Sequence, residues 1–291
     1  MTSIKYALLT FVLLSVGGMV TAQTPIVKQV ALGEAREVVA EINGGFGTLY
    51  LKHGSGDELL TLREKRKNNE GDDADVDIEY HVEDGIGYLT VDLGTEGADD
   101  MNALACLLKG KNSRTWYLTI SDRVPIRFDV TLGAGKALID LTDLHVREFN
   151  LDAGAGSVRL KMDKPNREVI GRVGLSAGVG SLRAEHIGNL RFQVLDFEGG
   201  LGEYHLDCTG ELPDNARIIT DVGVGSLTIV LPEGVGAKAM TDDNWFSSRK
   251  MYRFIRKNDE LYMTPDYDKS SRRVSLDLQS GLGTVAVRWA K

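Results

Sequence analysis

Phe128-Asp129-Val130-Thr131-Leu132-Gly133-Ala134-Gly135-Lys136-Ala137-Leu138-Ile139 is the stretch on which the reading of the fold turns. Before the glycines, Phe128, Val130 and Leu132 alternate with Asp129 and Thr131. After them, Ala137 and Ile139 resume the apolar positions. Period-two alternation marks a strand with one buried face. Two such strands joined through Gly-x-Gly read as a strand, a sharp corner and a second strand.

The same step recurs along the chain. It stands as Gly45-Phe46-Gly47, Gly154-Ala155-Gly156, Gly178-Val179-Gly180, Gly200-Leu201-Gly202, Gly223-Val224-Gly225 and Gly281-Leu282-Gly283. In the central run the copies start ~21 to ~24 residues apart, a period typical of stacked solenoid coils. Two residues past each second glycine stand Leu49, Ala137, Val158, Leu182, Tyr204, Leu227 and Val285. Four residues past it stand Leu51, Ile139, Leu160, Ala184, Leu206, Ile229 and Val287. The fold class that follows is all-β: a two-sheet β-solenoid or β-roll with ~22-residue coils and Gly-x-Gly corners.

Glycine is needed at such a corner because the turn demands positive φ or very close backbone approach. Coils stacked ~4.8 Å apart leave little room for a Cβ there. A phosphate cradle is the functional rival. A dinucleotide fingerprint needs a third glycine in a βαβ setting, and a P-loop needs Gly-Lys-Ser/Thr. Gly133-Ala134-Gly135-Lys136 is followed by Ala137 and meets neither requirement. The calcium-binding nonapeptide solenoid needs an Asp at a fixed place after the glycines, which these repeats lack. Gly234 is placed in an outer loop.

Residues 1–22 read as a signal peptide. Lys5 supplies the positive start, residues 7–20 the apolar stretch, and Val20-Thr21-Ala22 the small residues before cleavage at Gln23. The apolar stretch is shorter than the ~20 residues of a spanning helix. The expectation is an exported, soluble chain without a transmembrane anchor, periplasmic or extracellular. Residues 23–291 are expected to form a single elongated domain: N-terminal strands and a loop over 23–115, regular coils over 116–240, and a C-terminal excursion with closing strands over 241–291. Residues 23–36 read as a leader, and residues 75–82 and 87–93 as a hairpin around Glu83-Asp84-Gly85. A short helix fits residues 99–108. The formal net charge of −8 argues against nucleic acid, which calls for a positive field, and against broad adhesion to anionic lipid. Cys106 and Cys208 are an even pair in an oxidising compartment, so a disulfide and two buried thiols both stay open.

The run Trp116-Tyr117-Leu118-Thr119-Ile120, then Val124-Pro125-Ile126, Leu132-Gly133-Ala134-Gly135, Ile139-Asp140-Leu141-Thr142-Asp143-Leu144 and Ala153-Gly154-Ala155-Gly156 resembles the toast-rack domain. That domain is similar to the C-terminal domain of LiaF-type cell-envelope stress proteins. The resemblance covers roughly residues 37–290. It implies an adhesin-like β-solenoid of the cell envelope, and it brings no catalytic residues with it. LiaF-type proteins carry membrane helices ahead of the domain, where this chain shows none.

No chemical constellation stands out. His53, His81, His145, His186 and His205 are scattered and form no zinc pattern. No Gly-x-Ser-x-Gly elbow is present. Asp72, Asp73, Asp75, Asp77 and Glu79 lack the glycine and terminal glutamate of an EF-hand and read as a solvated strand edge. Two residues before each corner stand Asn43, Thr131, Asp152, Ser176, Glu198, Asp221 and Gln279. Stacked coils would turn these into a polar ladder, with Asp152, Glu198 and Asp221 on one rim. Residues 245–257 form a local basic, aromatic patch. Trp245, Phe246, Arg249, Tyr252, Arg253 and Arg256 are the candidate binding residues, able to stack on sugars or to touch anionic groups. The same aromatics could instead cap the open end of the solenoid.

The expectation is therefore a non-catalytic envelope protein with a structural or adhesin-like binding role. It needs no cofactor and no metal, and its partner is an envelope component, protein or glycan. The alternative is a carbohydrate-active enzyme that cleaves polysaccharide on a β-helix, which needs carboxylates converging in a groove.

Overall fold

The computed structural model describes residues 26–65, 76–94, 114–241 and 247–290. The chain opens with β1 (Ile26–Ala31), β2 (Glu37–His53), β3 (Glu58–Lys65), β4 (Val76–Glu83), β5 (Ile86–Leu93) and β6 (Thr115–Ile120). Long strands follow: β7 (Ile126–Asp140), β8 (Val146–Lys161), β9 (Ile170–Glu185), β10 (Phe192–Asp207) and β11 (Ala216–Leu231). The C-terminal region adds β12 (Gly236–Thr241), β13 (Ser247–Met251), β14 (Ile255–Arg256), β15 (Leu261–Met263) and the long β16 (Arg273–Trp289). Among the described residues the helical content is one 3-10 turn at Ile187–Leu190.

Each long strand is a whole coil side, bent in its middle at Gly-x-Gly. The strands stack parallel in the order β2, β7, β8, β9, β10, β11, β16. Their registers align the second corner glycines in one column: Gly47, Gly135, Gly156, Gly180, Gly202, Gly225 and Gly283. At Gly156 φ is +135°, and a Cβ there would lie 1.9 Å from the carbonyl oxygen of Gly135. Gly180 repeats this with φ +130° and 2.0 Å to the oxygen of Gly156. Close stacking and positive φ thus both exclude side chains from the inner turn.

The two arms of each bent strand turn one face inward. Phe149 and Leu151 before the corner and Val158 and Leu160 after it are buried in β8. In β10, Phe197 of the first arm meets Tyr204 of the second, with ring centroids 5.1 Å apart and edge-on. Each fully buried Leu, Ile or Phe contributes roughly 1.5–3 kcal/mol, so the repeated coil supplies its own core.

The return loops are held by a motif that sequence patterning did not reveal. Buried Asn166 donates its side-chain amide to the Val146 carbonyl at 2.6 Å and accepts the Val146 amide at 3.1 Å. One coil on, buried Asn189 donates to the Met162 carbonyl at 2.9 Å and accepts the Glu211 amide at 3.2 Å. Irregular backbone inside a stack leaves polar groups without ladder partners, and asparagine offers a donor and an acceptor to fill them.

The ends depart from chain order. At one end β5 pairs parallel with the first arm of β2 and β6 with the second, so two strands replace one bent strand. At the other end β12 and β13 do the same against β16. Both β2 and β16 are therefore slotted inside coils that neighbour them in space but not in sequence. Antiparallel strands finish the stack: β4 on β5, β3 on β6 and β1 on β3 at one end, and β15 on β12 and β14 on β15 at the other.

One expectation changes. Residues 23–36 are not a plain leader, because Ile26–Ala31 is an edge strand on β3. Past residue 240, β13 lies parallel on the second arm of β16, beyond β12 on the first. The hairpin around residues 83–85 forms as read, with Asp84 at φ 52° and Gly85 at φ 82°. The candidate helix at 99–108 lies outside the described residues.

Candidate binding surfaces

The basic, aromatic patch folds onto the end of the stack. Phe254 is half-buried and packs on the Trp289 ring at 5.3 Å. Arg253, at φ 61°, reaches Glu233 with two hydrogen bonds of 2.6 and 2.8 Å and lies 5.4 Å over Trp289. Those hydrogen bonds hold the Glu233 carboxyl below its ordinary range and raise the guanidinium. Arg256 pairs with Asp259 at 2.7 Å and donates to the Asn258 carbonyl at 3.0 Å. Arg288 lies 5.6 Å over the ring of Tyr252, which is exposed. Arg249 sits on β13 against β16. Trp245 and Phe246 lie outside the described residues. The structure thus brings Arg253, Phe254 and Trp289 together as a cap, with two patch arginines already engaged by acids of the same chain.

The polar ladder also assembles. Asn43, Thr131, Asp152, Ser176, Glu198, Asp221 and Gln279 follow one another in register along the outside of the first arms. Glu198 and Asp221 are neighbours on adjacent coils, and Ser176 separates Glu198 from Asp152. The carboxylates of Asp152, Glu198 and Asp221 are exposed along this line, on β8, β10 and β11.

The histidines stay apart, and four of the five have a local partner. His145 contacts Glu168 at 3.0 Å, His186 contacts Asp163 at 3.1 Å and His53 contacts Asp122 at 3.4 Å. His81 stacks on Tyr88 at 5.1 Å. Burial, then the nearby Arg183 charge, lowers the imidazole of His205. Among the described residues no three His, Cys, Asp or Glu side chains gather as metal ligands. On β4, Asp77 and Glu79 point to solvent against buried Val76 and Ile78; Asp72, Asp73 and Asp75 lie outside the described residues. Cys208 is a buried free thiol whose pKa burial pushes up, and Cys106 lies outside the described residues.

One feature was visible in the sequence but carried no weight there. In four successive corners the middle residue is exposed, whereas Phe46, Ala134 and Ala155 at the earlier corners are half-buried. Val179, Leu201, Val224 and Leu282 are 54%, 53%, 44% and 55% exposed and are consecutive in the stack. The corner needs the glycines, not the residue between them, so four large aliphatics in a row have no folding reason.

No protein of curated function matches the chain in sequence. The family described as the N-terminal domain of toast_rack, DUF2154, matches residues 19–185. Among solved structures the chain is similar to a candidate cell adhesion protein of Clostridium sporogenes, with 18% identity over 92% of this chain and 99% of that one, at a TM-score of 0.45. A candidate adhesin of Bacteroides fragilis shows 15% identity over 93% and 100%, at a TM-score of 0.33. Another, from Parabacteroides merdae, shows 11% identity over 92% and 97%, at a TM-score of 0.31. No helix among the described residues is long and apolar enough to cross a membrane.

Proposed function

The chain belongs to the toast-rack family, and on that premise we propose that it is an exported, non-catalytic β-solenoid that binds a protein or glycan of the cell envelope. The observation that supports this reading is the placement of its acids on one outward-facing line. Asp152, Glu198 and Asp221 stand in register on β8, β10 and β11, with Ser176 of β9 between the first two, and not across a groove from one another. Hydrolysis of a glycosidic bond asks for two carboxyl groups facing one bond across a groove. A scaffold asks for a long, repetitive side. The N-terminal signal pattern ending at Ala22 supports export.

Fractionation of cells, N-terminal sequencing and binding to purified peptidoglycan and surface glycans test the reading. A mature protein that starts at Gln23 and is retained by envelope fractions is the expected result. A chain that keeps Met1 and stays with the cytoplasm overturns export. The polysaccharide-cleaving alternative rests on Glu198 lying beside Asp221. Release of reducing ends from envelope glycans, abolished by Glu198→Gln, would replace the binding reading with that one.

A further inference from the structure

Val179, Leu201, Val224 and Leu282 form a continuous apolar ridge, and we propose that it docks an amphipathic α-helix whose apolar stripe is flanked by lysine or arginine. The proposal rests on the reading of the solenoid as a binding element and names its partner's chemistry.

The first observation is the ridge itself. The four residues are about half exposed and adjacent across three coil interfaces. Each stands between two glycines, so no neighbouring side chain on its own strand shields it. Earlier in the stack the same position holds half-buried Phe46, Ala134 and Ala155. Contiguous exposed apolar surface of this kind marks an interaction site, whereas scattered single residues do not.

The second observation is charge. Within three residues of the ridge positions stand Glu198, Glu203 and Asp221, and no lysine or arginine. All three are exposed. Among the described residues none of the three has an ion-pair partner, whereas acids farther from the corner do. Asp196 pairs with Arg172, Asp277 with Arg217 and Glu185 with Arg183. A second copy of this ridge would set acid against acid, and an anionic bilayer would meet the same repulsion. A cationic partner gains from all three.

The third argument is spacing. Coils repeat every ~4.8 Å. An α-helix advances ~5.4 Å per turn, so one turn meets one rung and the mismatch over three steps is only about 1.8 Å. An extended strand advances ~6.6 Å for two residues on one face and falls out of step at once. Four rungs match about ten helical residues.

The test uses the full mature protein and a labelled 14-residue peptide with one leucine per turn flanked by lysines. Controls are a scrambled peptide of the same composition and a version with glutamate for lysine. Anisotropy reads binding, and circular dichroism reads peptide helicity. The lysine peptide is expected to bind, to gain helicity, and to weaken with added salt. Leu201→Ser with Val224→Ser should weaken it about tenfold or more. Glu198→Gln, Glu203→Gln and Asp221→Asn together should remove most of the salt dependence. Should the serine double variant fail to fold, the carboxylate triple alone decides. Equal binding of the scrambled peptide, preference for the glutamate peptide, or indifference to both sets of variants overturns the proposal. So does ridge-dependent retention on phosphatidylglycerol vesicles without peptide binding. The peptide assay contains no envelope material. Failure of envelope association therefore sinks the general reading alone, and failure of the peptide sinks the ridge alone.

Discussion

The carbonyl oxygen of Gly135 lies 1.9 Å from where a Cβ on Gly156 would sit. The contact is backbone against backbone, so no rotamer change relieves it. It recurs one coil on, between Gly156 and Gly180, and couples the sequence of every corner to the coil beneath.

Gly156→Val and Gly180→Val should therefore each destabilise by roughly 2–6 kcal/mol, with strain at positive φ adding to overpacking. Gly234 lies in an exposed turn, as expected of an outer loop, with φ +77° and open space around it, so Gly234→Val carries the strain alone, about 1–3 kcal/mol. A Cβ on Gly171 would meet no neighbouring atom within 4 Å, and its φ is not positive, so Gly171→Val should be close to neutral. Chemical denaturation of the four variants checks the ranking. Equal shifts at Gly156 and Gly171 would refute the corner assignment.

Asn166→Ala should cost about 2–4 kcal/mol, because it strands both the amide and the carbonyl of buried Val146. Asn166→Asp keeps the acceptor but removes the donor to Val146, and should also destabilise. A melting temperature unchanged in the alanine variant would show that the loop does not depend on this staple.

The cap makes an opposite pair of expectations for ring and charge. Phe254→Ala should cost about 1.5–3 kcal/mol, less than a fully buried ring, since Phe254 is only half-buried against Trp289. Arg256→Gln should leave the melting temperature nearly unchanged, because its pair with Asp259 is exposed. A larger loss from Arg256→Gln than from Phe254→Ala would mean that charge, not the aromatic seat, holds the cap.

Acid should destabilise in two stages. Burial, then the Arg183 charge, keeps the His205 imidazole below its ordinary value, so the folded state resists a proton that the unfolded chain accepts. Its contribution is full above the ordinary ~6.5 and is lost as pH falls below it. Hydrogen bonds from Lys161, then His186, hold the Asp163 carboxyl down, so that contribution is present above ~3.9 and is lost below it. His205→Gln should flatten the melting temperature just below about pH 6.5 while leaving the decline below about pH 4. A slope unchanged by the substitution would remove His205 from the account.

Legibility followed locality. Gly-x-Gly with alternating neighbours was readable because strand period and corner geometry are set within about ten residues. Asn166 was not, because a lone asparagine before a charged loop has no pattern; only the stack brings Val146 to it. The patch arginines were visible as composition, yet their partners Glu233 and Asp259 were not. The apolar middle residues of the corners were legible, but their exposure depends on how the coil bends.

By itself the sequence determined an all-β solenoid, its coil length and its corners, since each repeat encodes the same local bend and buries the same face. The tertiary structure alone decided what depends on distant partners. It slots β2 and β16 inside coils that are not their neighbours in the chain, and it joins Arg147 to Glu37 at 2.6 Å across 110 residues. Among the described residues it also leaves Glu198, Glu203 and Asp221 without an ion-pair partner beside an exposed row of aliphatics. The physical reason is that hydrophobic period and glycine conformation act over a few bonds, whereas charge pairing and exposure are settled only when separate coils come within a strand spacing of one another.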